Sequence, residues 1–193
     1  MKTQYPDNQQ CLAILQEYGT PSHVIGHCKA VSMVAVTVAK ALNRYGFSFD
    51  VEIIRFAGML HDIARKSENH HIVGADYLQQ LGYPEAAKIV RAHMKHPIVE
   101  NLYDSTETDI MCLGDRTVLE SRYVGIDLRM EYIIDKARKF VDGDIAKVEA
   151  GIRKNFQQLK KYVCSIEDII GMPMDQLIAN AEQEAEGMES KIL

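Results

Sequence analysis

The sequence predicts an all-α protein, and three observations predict it. Apolar residues recur at spacings of three and four along most of the 193 residues. Helix-stopping groups such as Gly46, Gly82-Tyr83-Pro84 and Gly171-Met172-Pro173 punctuate those runs, and no segment alternates apolar and polar residues as a half-buried strand does. Thr20 and Pro21 supply an N-cap and a proline at the first helical position, after which Val24, Cys28, Val31, Ala35, Val38, Leu42 and Tyr45 form one stripe until Gly46. Asp50 caps a second helix with Ile53, Ile54, Ala57, Leu60 and Ala64 inward. Asn69 caps a third, carrying Gly74, Tyr77, Leu78 and Leu81 and closed by Gly82. Pro84 starts a fourth, with Ala86, Ile89 and Val90 inward and Pro97 ending it. Asn101 to Thr108 is polar and reads as a loop, and Ile110 to Leu119 is a fifth helix. Beyond it, Ile126, Met130, Ile133, Ala137 and Phe140 make one stripe, and Ile145, Val148, Ile152, Phe156, Leu159 and Val163 another. The polar tail from Ala181 is expected to fray.

The length suits one domain, residues 1–193, and 47% hydrophobic residues give it a core. A formal charge of −5 argues against a dedicated nucleic-acid binder but leaves room for a small anion held locally. Cys11, Cys28, Cys112 and Cys164 lack CxxC spacing, and no signal peptide or membrane-length apolar run is read. They are taken as reduced thiols of a cytoplasmic protein that uses no membrane. The oligomeric state is left open, a homodimer included.

All seven histidines lie in the first half of the chain. Helical spacing turns several inward. His27 is four residues before Val31, His61 is four beyond Ala57 with Asp62 beside it, and His70 shares a face with Gly74. His93 is four after Ile89, and Asp115 is four after Met111. Two carboxylates buried without partners would cost several kcal/mol each, on the scale of a whole domain's stability. No inward Lys or Arg is evident on these stripes, and imidazole with carboxylate suits a divalent transition metal. Each residue alone has a plainer reading: a core histidine for His27 or His93, the end of a helical turn for His70, a cap for Asp62, a surface pair with Arg116 or Arg122 for Asp115.

Taken together, the segments "SHVIGHCKAV", "AGMLHDIA" and "IMCLGDRTVLESR" resemble the HD-domain metal-dependent phosphohydrolases, whose pattern is an early His, a His-Asp pair and a distant Asp. The resemblance covers roughly Ser22 to Arg122. It implies an HD-domain helical bundle, core about 20–125, with a C-terminal helical extension, about 126–193. "HHIVGADYLQQLGYPEAAKIVRAHM" is similar to the segment by which a subset, the symmetrical diadenosine tetraphosphate hydrolases, adds two histidines and a second metal. That pattern selects His70 over His71, and His93. Gly82-Tyr83-Pro84 spells the tripeptide of the HD-GYP phosphodiesterases without the residues that should precede it, and a helix stop followed by a proline start explains it.

The resemblance implies His27, His61, Asp62 and Asp115 at a first metal, with His70 and His93 completing a second site or binding phosphate. Fe or Mn is the expected ion, one or two per chain. His61, Asp62 and Lys66 are the catalytic candidates. Lys66, Arg122 and His71 are offered to the substrate, although His71, like His23 and His96, is also read as mainly structural or supporting. Cys28 and Met33 read as core. The implied reaction is hydrolysis of a phosphate ester or anhydride by a metal-activated water, the substrate a nucleotide and most specifically a dinucleoside polyphosphate. A rival reading is a non-catalytic metal- and nucleotide-binding module. A purely structural metal is weaker, since none of the cysteines falls in the constellation.

Overall fold

The computed structural model describes residues 4–189. Among them the chain forms helices α1 (Asn8–Tyr18), α2 (Ser22–Asn43), α3 (Val51–Leu60), α4 (His70–Gln80), α5 (Pro84–Ala92), α6 (Glu107–Thr117), α7 (Gly125–Phe140), α8 (Ile145–Ile170) and α9 (Met174–Glu189). A 3₁₀ turn (Leu102–Asp104) precedes α6, and strands β1 (Val118–Leu119) and β2 (Arg122–Tyr123) form a small antiparallel hairpin after it. The protein is all-α.

Local chemistry accounts for most boundaries. Asp50 accepts from the Glu52 amide at 3.1 Å and so caps α3. Pro84 opens α5, and Gly82, at φ +90°, closes the turn after α4.

Several expectations need correction. Helix α1 was not anticipated, although a capping box signals it: Gln10 and Asp7 each bond the other's backbone, and Gly19 ends the helix at φ +83°. Thr20 does not cap α2. Its hydroxyl donates instead to the Ile63 carbonyl at 2.8 Å and ties the start of α2 to the turn after α3, leaving Pro21 at the cap position. Asn69 lies before α4 in the left-handed region, φ 53°, without a side-chain cap. The fifth helix begins earlier than Ile110, because Thr106 and Asp109 form a capping box, and it ends before Val118, where the hairpin starts. Phe140 is exposed at 79%, and α9 stays helical past Ala181.

Helix α2 lies at the centre. It is long and apolar enough to cross a membrane, yet it packs against α3 and α6 and is touched by the hairpin, α8 and α9. Two glycines permit the close crossings. A Cβ built on Gly58 of α3 would stand 2.9 Å from the Ser32 Cα, and one on Gly114 of α6 would stand 2.7 Å from the Val31 carbonyl oxygen. Both neighbours are backbone atoms of α2 and cannot swing aside. One buried apolar cluster then runs from Cys11 to Ile178, with α8 and α9 against α2 and α7 against α6 and α8.

Gly114→Ala should therefore force α6 off α2 and cost about 1–3 kcal/mol, read as a lower denaturant midpoint at unchanged m. A thiol reagent offers a second check. Cys11, Cys28 and Cys112 are buried, with burial pushing the Cys112 thiol up to about 12, whereas Cys164 is exposed. Native protein at mildly alkaline pH should react at Cys164 alone and denatured protein at all four; rapid labelling of Cys28 in the native state would contradict the packing around it.

Candidate metal centre

The His-Asp pair sits at the end of α3. Leu60 is the last helical residue, His61 occupies the C-cap, and the chain then turns through to Asn69. Both side chains point into the protein: His61 is 0% and Asp62 5% exposed. His27 comes from the second turn of α2, Asp115 from α6, His70 from the first residue of α4, and His93 from the residue after α5.

Their ring orientations are set by backbone. His27 Nδ1 lies 2.9 Å from the Glu120 carbonyl, His61 Nδ1 2.8 Å from that of Gly58, and His93 Nδ1 2.6 Å from that of Val90. Carbonyls only accept, so each Nδ1 carries the hydrogen and donates it. In a neutral ring the opposite nitrogen, Nε2, is then a bare lone pair. These lone pairs converge on carboxylates. His27 Nε2 is 3.1 Å and His61 Nε2 3.9 Å from Asp115 Oδ1; His61 Nε2 is also 3.8 Å from Asp62 Oδ2. On the other side of Asp62, Oδ1 faces His70 Nε2 at 3.1 Å and His93 Nε2 at 3.7 Å.

The ligand atoms of His27, His61 and Asp115 all lie within 4.8 Å of one another, as do those of Asp62, His70 and His93. Asp62 stands between the clusters and presents one oxygen to each. Among the described residues, His61 Nε2 and Asp62 Oδ1 are buried without a hydrogen-bond partner, since the 3.1 Å approach of His70 is not aligned as one. Lone pairs aimed at one another in a dry site need a cation between them. Imidazole and carboxylate donors with no cysteine, in two groups sharing one carboxylate, fit a pair of divalent transition metals.

Charge follows the same pattern. Burial pushes the Asp62 carboxyl up, but His61, then His70, His93 and Arg65, outweigh it and hold the group well below the usual carboxylate range. Asp115 is likewise raised by burial and held low by His27 and His61. Burial drives His61 down, while Asp62 and Asp115 act in the opposite sense. For His93 burial acts in the same sense, but the contacts with Asp62 and the Val90 carbonyl prevail and its pKa rises above 6.5.

Of the residues named from sequence, the six proposed ligands are brought together, His70 and not His71 entering the second cluster. His71 is buried behind it, its ring 5.8 Å from that of His70 and 6.2 Å from that of His93. Lys66 is exposed and does not line the cavity. Arg65 does, although its side chain is also partly exposed: three residues after Asp62, it turns back over the carboxylate, with Nη1 3.5 Å from Asp62 Oδ1 and 3.1 Å from His70 Nε2. Arg122 is exposed on β2 and lines a separate hollow with Tyr123 and Asp175, because the hairpin carries it toward α9. His96 bonds Asp109 at 2.8 Å, and Arg116 donates to the His96 carbonyl; both serve the base of α6.

Sequence reasoning missed what faces the two ligand clusters. A cavity of about 820 Å³ opens beside Asp62 and His27 and is walled by Arg65, the Glu120–Ser121 turn and the α7 residues Arg129, Tyr132, Ile133 and Lys136. Arg129 Nη2 is 4.0 Å from Asp115 Oδ1. The spacing of 129, 132, 133 and 136 is itself a helical stripe, hidden because only the apolar members of α7 were followed. Glu120 could not have been found this way: it matters through its carbonyl, held at φ 55° in the hairpin turn, a strained conformation for a residue with a side chain.

With this geometry in place, the chain is recognised as a member of the HD domain family, whose model matches residues 24–129. The HD-domain superfamily is one of metal-dependent phosphohydrolases, and the two clusters here are of the kind that could hold its metal. An uncharacterised protein of Methanocaldococcus jannaschii is 30% identical over 172 residues, 83% of this chain and 95% of its own length. A tRNA (cytidine(56)-2'-O)-methyltransferase of Thermoplasma volcanium is 36% identical over 188 residues, 89% of this chain and 50% of its own. The enzyme of that name from Picrophilus torridus is 25% identical over 65% of this chain and 40% of its own. The chain thus spans about half or less of those two relatives. No solved structure matches it significantly.

The raised pKa of His93 gives a testable pH dependence. The attraction between its imidazolium and Asp62 is fully present below 6.5, the unfolded value, and is lost as pH rises through the higher folded value. A metal needs the neutral ring, so uptake by chelated protein must expel this proton. Apparent metal affinity should climb with pH from about 6.5 up to the folded value, with proton release visible as a buffer-dependent heat of binding. Uptake without proton release in that window would exclude His93 as a ligand.

Proposed function

We propose that the chain is a binuclear metal-dependent phosphohydrolase acting on a nucleotide, with a dinucleoside polyphosphate as the most specific candidate and Fe or Mn as the ion. The observation that carries this reading is Asp62: a buried carboxylate with one oxygen toward each of two imidazole clusters, its Oδ1 without a hydrogen-bond partner. His27, His61 and Asp115 would hold one ion, His70 and His93 the other, and Asp62 both. Such ions supply an activated water and neutralise charge on a transferring phosphoryl group.

The chain's own groups complete the site. Arg65 and Arg129 stand beside opposite clusters, and both donate toward the space where phosphate oxygens would sit. His61 is fully buried, and its hydrogen bond to the Gly58 carbonyl holds Nε2 toward Asp62 and Asp115. His71 walls the second cluster and keeps the His70 and His93 rings in place. Lys66 does not line the cavity and so does not share Arg65's role. The net charge and the free cysteines suit a cytoplasmic enzyme of small anionic substrates.

The relatives named as tRNA methyltransferases favour a second reading, in which such a domain serves a larger protein as a metal- and nucleotide-binding module. Turnover distinguishes the two. Chelation should abolish hydrolysis of a nucleotide panel, and Mn²⁺, Fe²⁺ or Co²⁺ should restore it; metal and nucleotide binding with no turnover would leave only the module. Protein prepared anaerobically should hold about two metals per chain, falling to about one in His93→Ala and in His70→Ala and changing little in His71→Ala. Asp115→Ala should lose metal and activity while keeping its far-ultraviolet dichroism. If Asp115→Ala remains fully active, Asp115 is not a ligand.

A further inference from the structure

Helix α7 lies outside the segments that carry the metal ligands, yet it forms one wall of the cavity. Arg129, Tyr132, Ile133 and Lys136 occupy positions i, i+3, i+4 and i+7, a single face about 10 Å long. The charged residues on the rest of the helix are largely paired off: Asp127 with Lys160, Glu131 with Arg153, Asp135 with Arg138. The cavity-facing cations are paired loosely or not at all. Arg129 has a buried Nε without a hydrogen-bond partner and only a 4.0 Å approach to Asp115, and Lys136 makes no ion pair among the described residues. What both have is the Tyr132 ring between them, with the Arg129 guanidinium 5.6 Å and the Lys136 ammonium 5.2 Å from its centroid.

The face therefore offers, in order from the metal centre, a cation, an aromatic ring beside an aliphatic side chain, and a second cation. Resting on the phosphohydrolase reading but departing from its dinucleoside polyphosphate candidate, whose phosphates lie together between two nucleosides, we propose that α7 selects substrates carrying two anionic groups separated by a nucleoside: one phosphate at the metal ligands and Arg129, the base against Tyr132 and Ile133, and a second phosphate at Lys136. A nucleotide is of the right size for the cavity. Lys136 is exposed and acts as a specificity determinant through charge alone, whereas Tyr132 contributes stacking that any base can use.

The test is binding, measured by calorimetry on the full chain both as prepared with its metals and after chelation. The probes are adenosine 3',5'-bisphosphate, adenosine 5'-monophosphate and ribose 5-phosphate. The bisphosphate should bind at least about tenfold tighter than the monophosphate, the factor that one charge-assisted contact supplies. Lys136→Gln should remove that preference, while Lys139→Gln, an exposed lysine of α7 outside the cavity, should keep it. Tyr132→Leu should bring adenosine 5'-monophosphate down to the affinity of ribose 5-phosphate. Equal binding of mono- and bisphosphate, a preference that survives Lys136→Gln, or no binding of any probe would each overturn the proposal. Binding without hydrolysis would instead remove the catalytic reading and leave this one standing; hydrolysis without a Lys136-dependent preference would do the reverse.

Discussion

A carboxylate buried among imidazoles is the constraint on which the site depends. Asp62 is 5% exposed and sits beside His61, which has no exposure at all. Removing one carboxylate from water without compensation costs several kcal/mol, a large share of the net stability of a domain this size. Its negative charge is shared among His61, His70, His93 and the edge of Arg65, so no single partner satisfies it. A conventional ion pair would have used one arginine in bidentate geometry. Here the partners approach from two sides at 3.1 to 3.8 Å without well-aligned hydrogen bonds, the geometry of a bridge rather than of a pair.

Holding that arrangement requires backbone precision more than side-chain packing. Gly58 lets α3 close on α2, and its own carbonyl receives the His61 Nδ1 hydrogen one turn later. Gly114 lets α6 close on α2 and immediately precedes Asp115. Gly26 lies next to His27 and brings α2 against Ser121 of the hairpin turn, whose other residue, Glu120, orients the His27 ring. At each of these places the residue that allows close approach is adjacent in sequence, or one turn away, from the ligand it positions. Displacing a helix here would misalign the ligands directly, which couples core packing to the chemistry of the site.

How much of this the sequence disclosed varied with the kind of interaction. Inward-facing ionisable residues on apolar stripes were legible, because helical period alone places His27, His61 and Asp115 on buried faces. The register of His70 against His71 was not settled by period, since adjacent residues at a helix start differ by about 100° and either could turn inward. The cations were misjudged for a related reason. Lys66 and Arg122 stand close to the motifs in sequence, yet Lys66 does not line the cavity and the hairpin carries Arg122 to a separate hollow, while Arg65 and Arg129 reach it from positions that carry no apolar signal. Backbone carbonyls that orient imidazoles, such as those of Glu120 and Val90, are invisible to any residue-type pattern. The short hairpin escaped because two-residue strands are below the length at which alternation can register.

The separation between the helices that carry the ligands and the one that faces them has a functional consequence. Every candidate metal ligand comes from α2 to α6 or the turns between them, while the face opposite the metals comes from α7 and the hairpin turn. The ligands are constrained by the demands of a dry, charge-balanced centre and can vary little without losing it. The α7 face is constrained less tightly: Ile133 packs against the core and Arg129 approaches Asp115, but Lys136 is exposed and Tyr132 lies outside the buried core. Chains that keep the α2–α6 geometry while changing positions equivalent to 129, 132 and 136 would retain the metal chemistry and alter its substrate. Substrate choice in this chain is therefore better sought in three side chains of a peripheral helix than in the His-Asp pair itself.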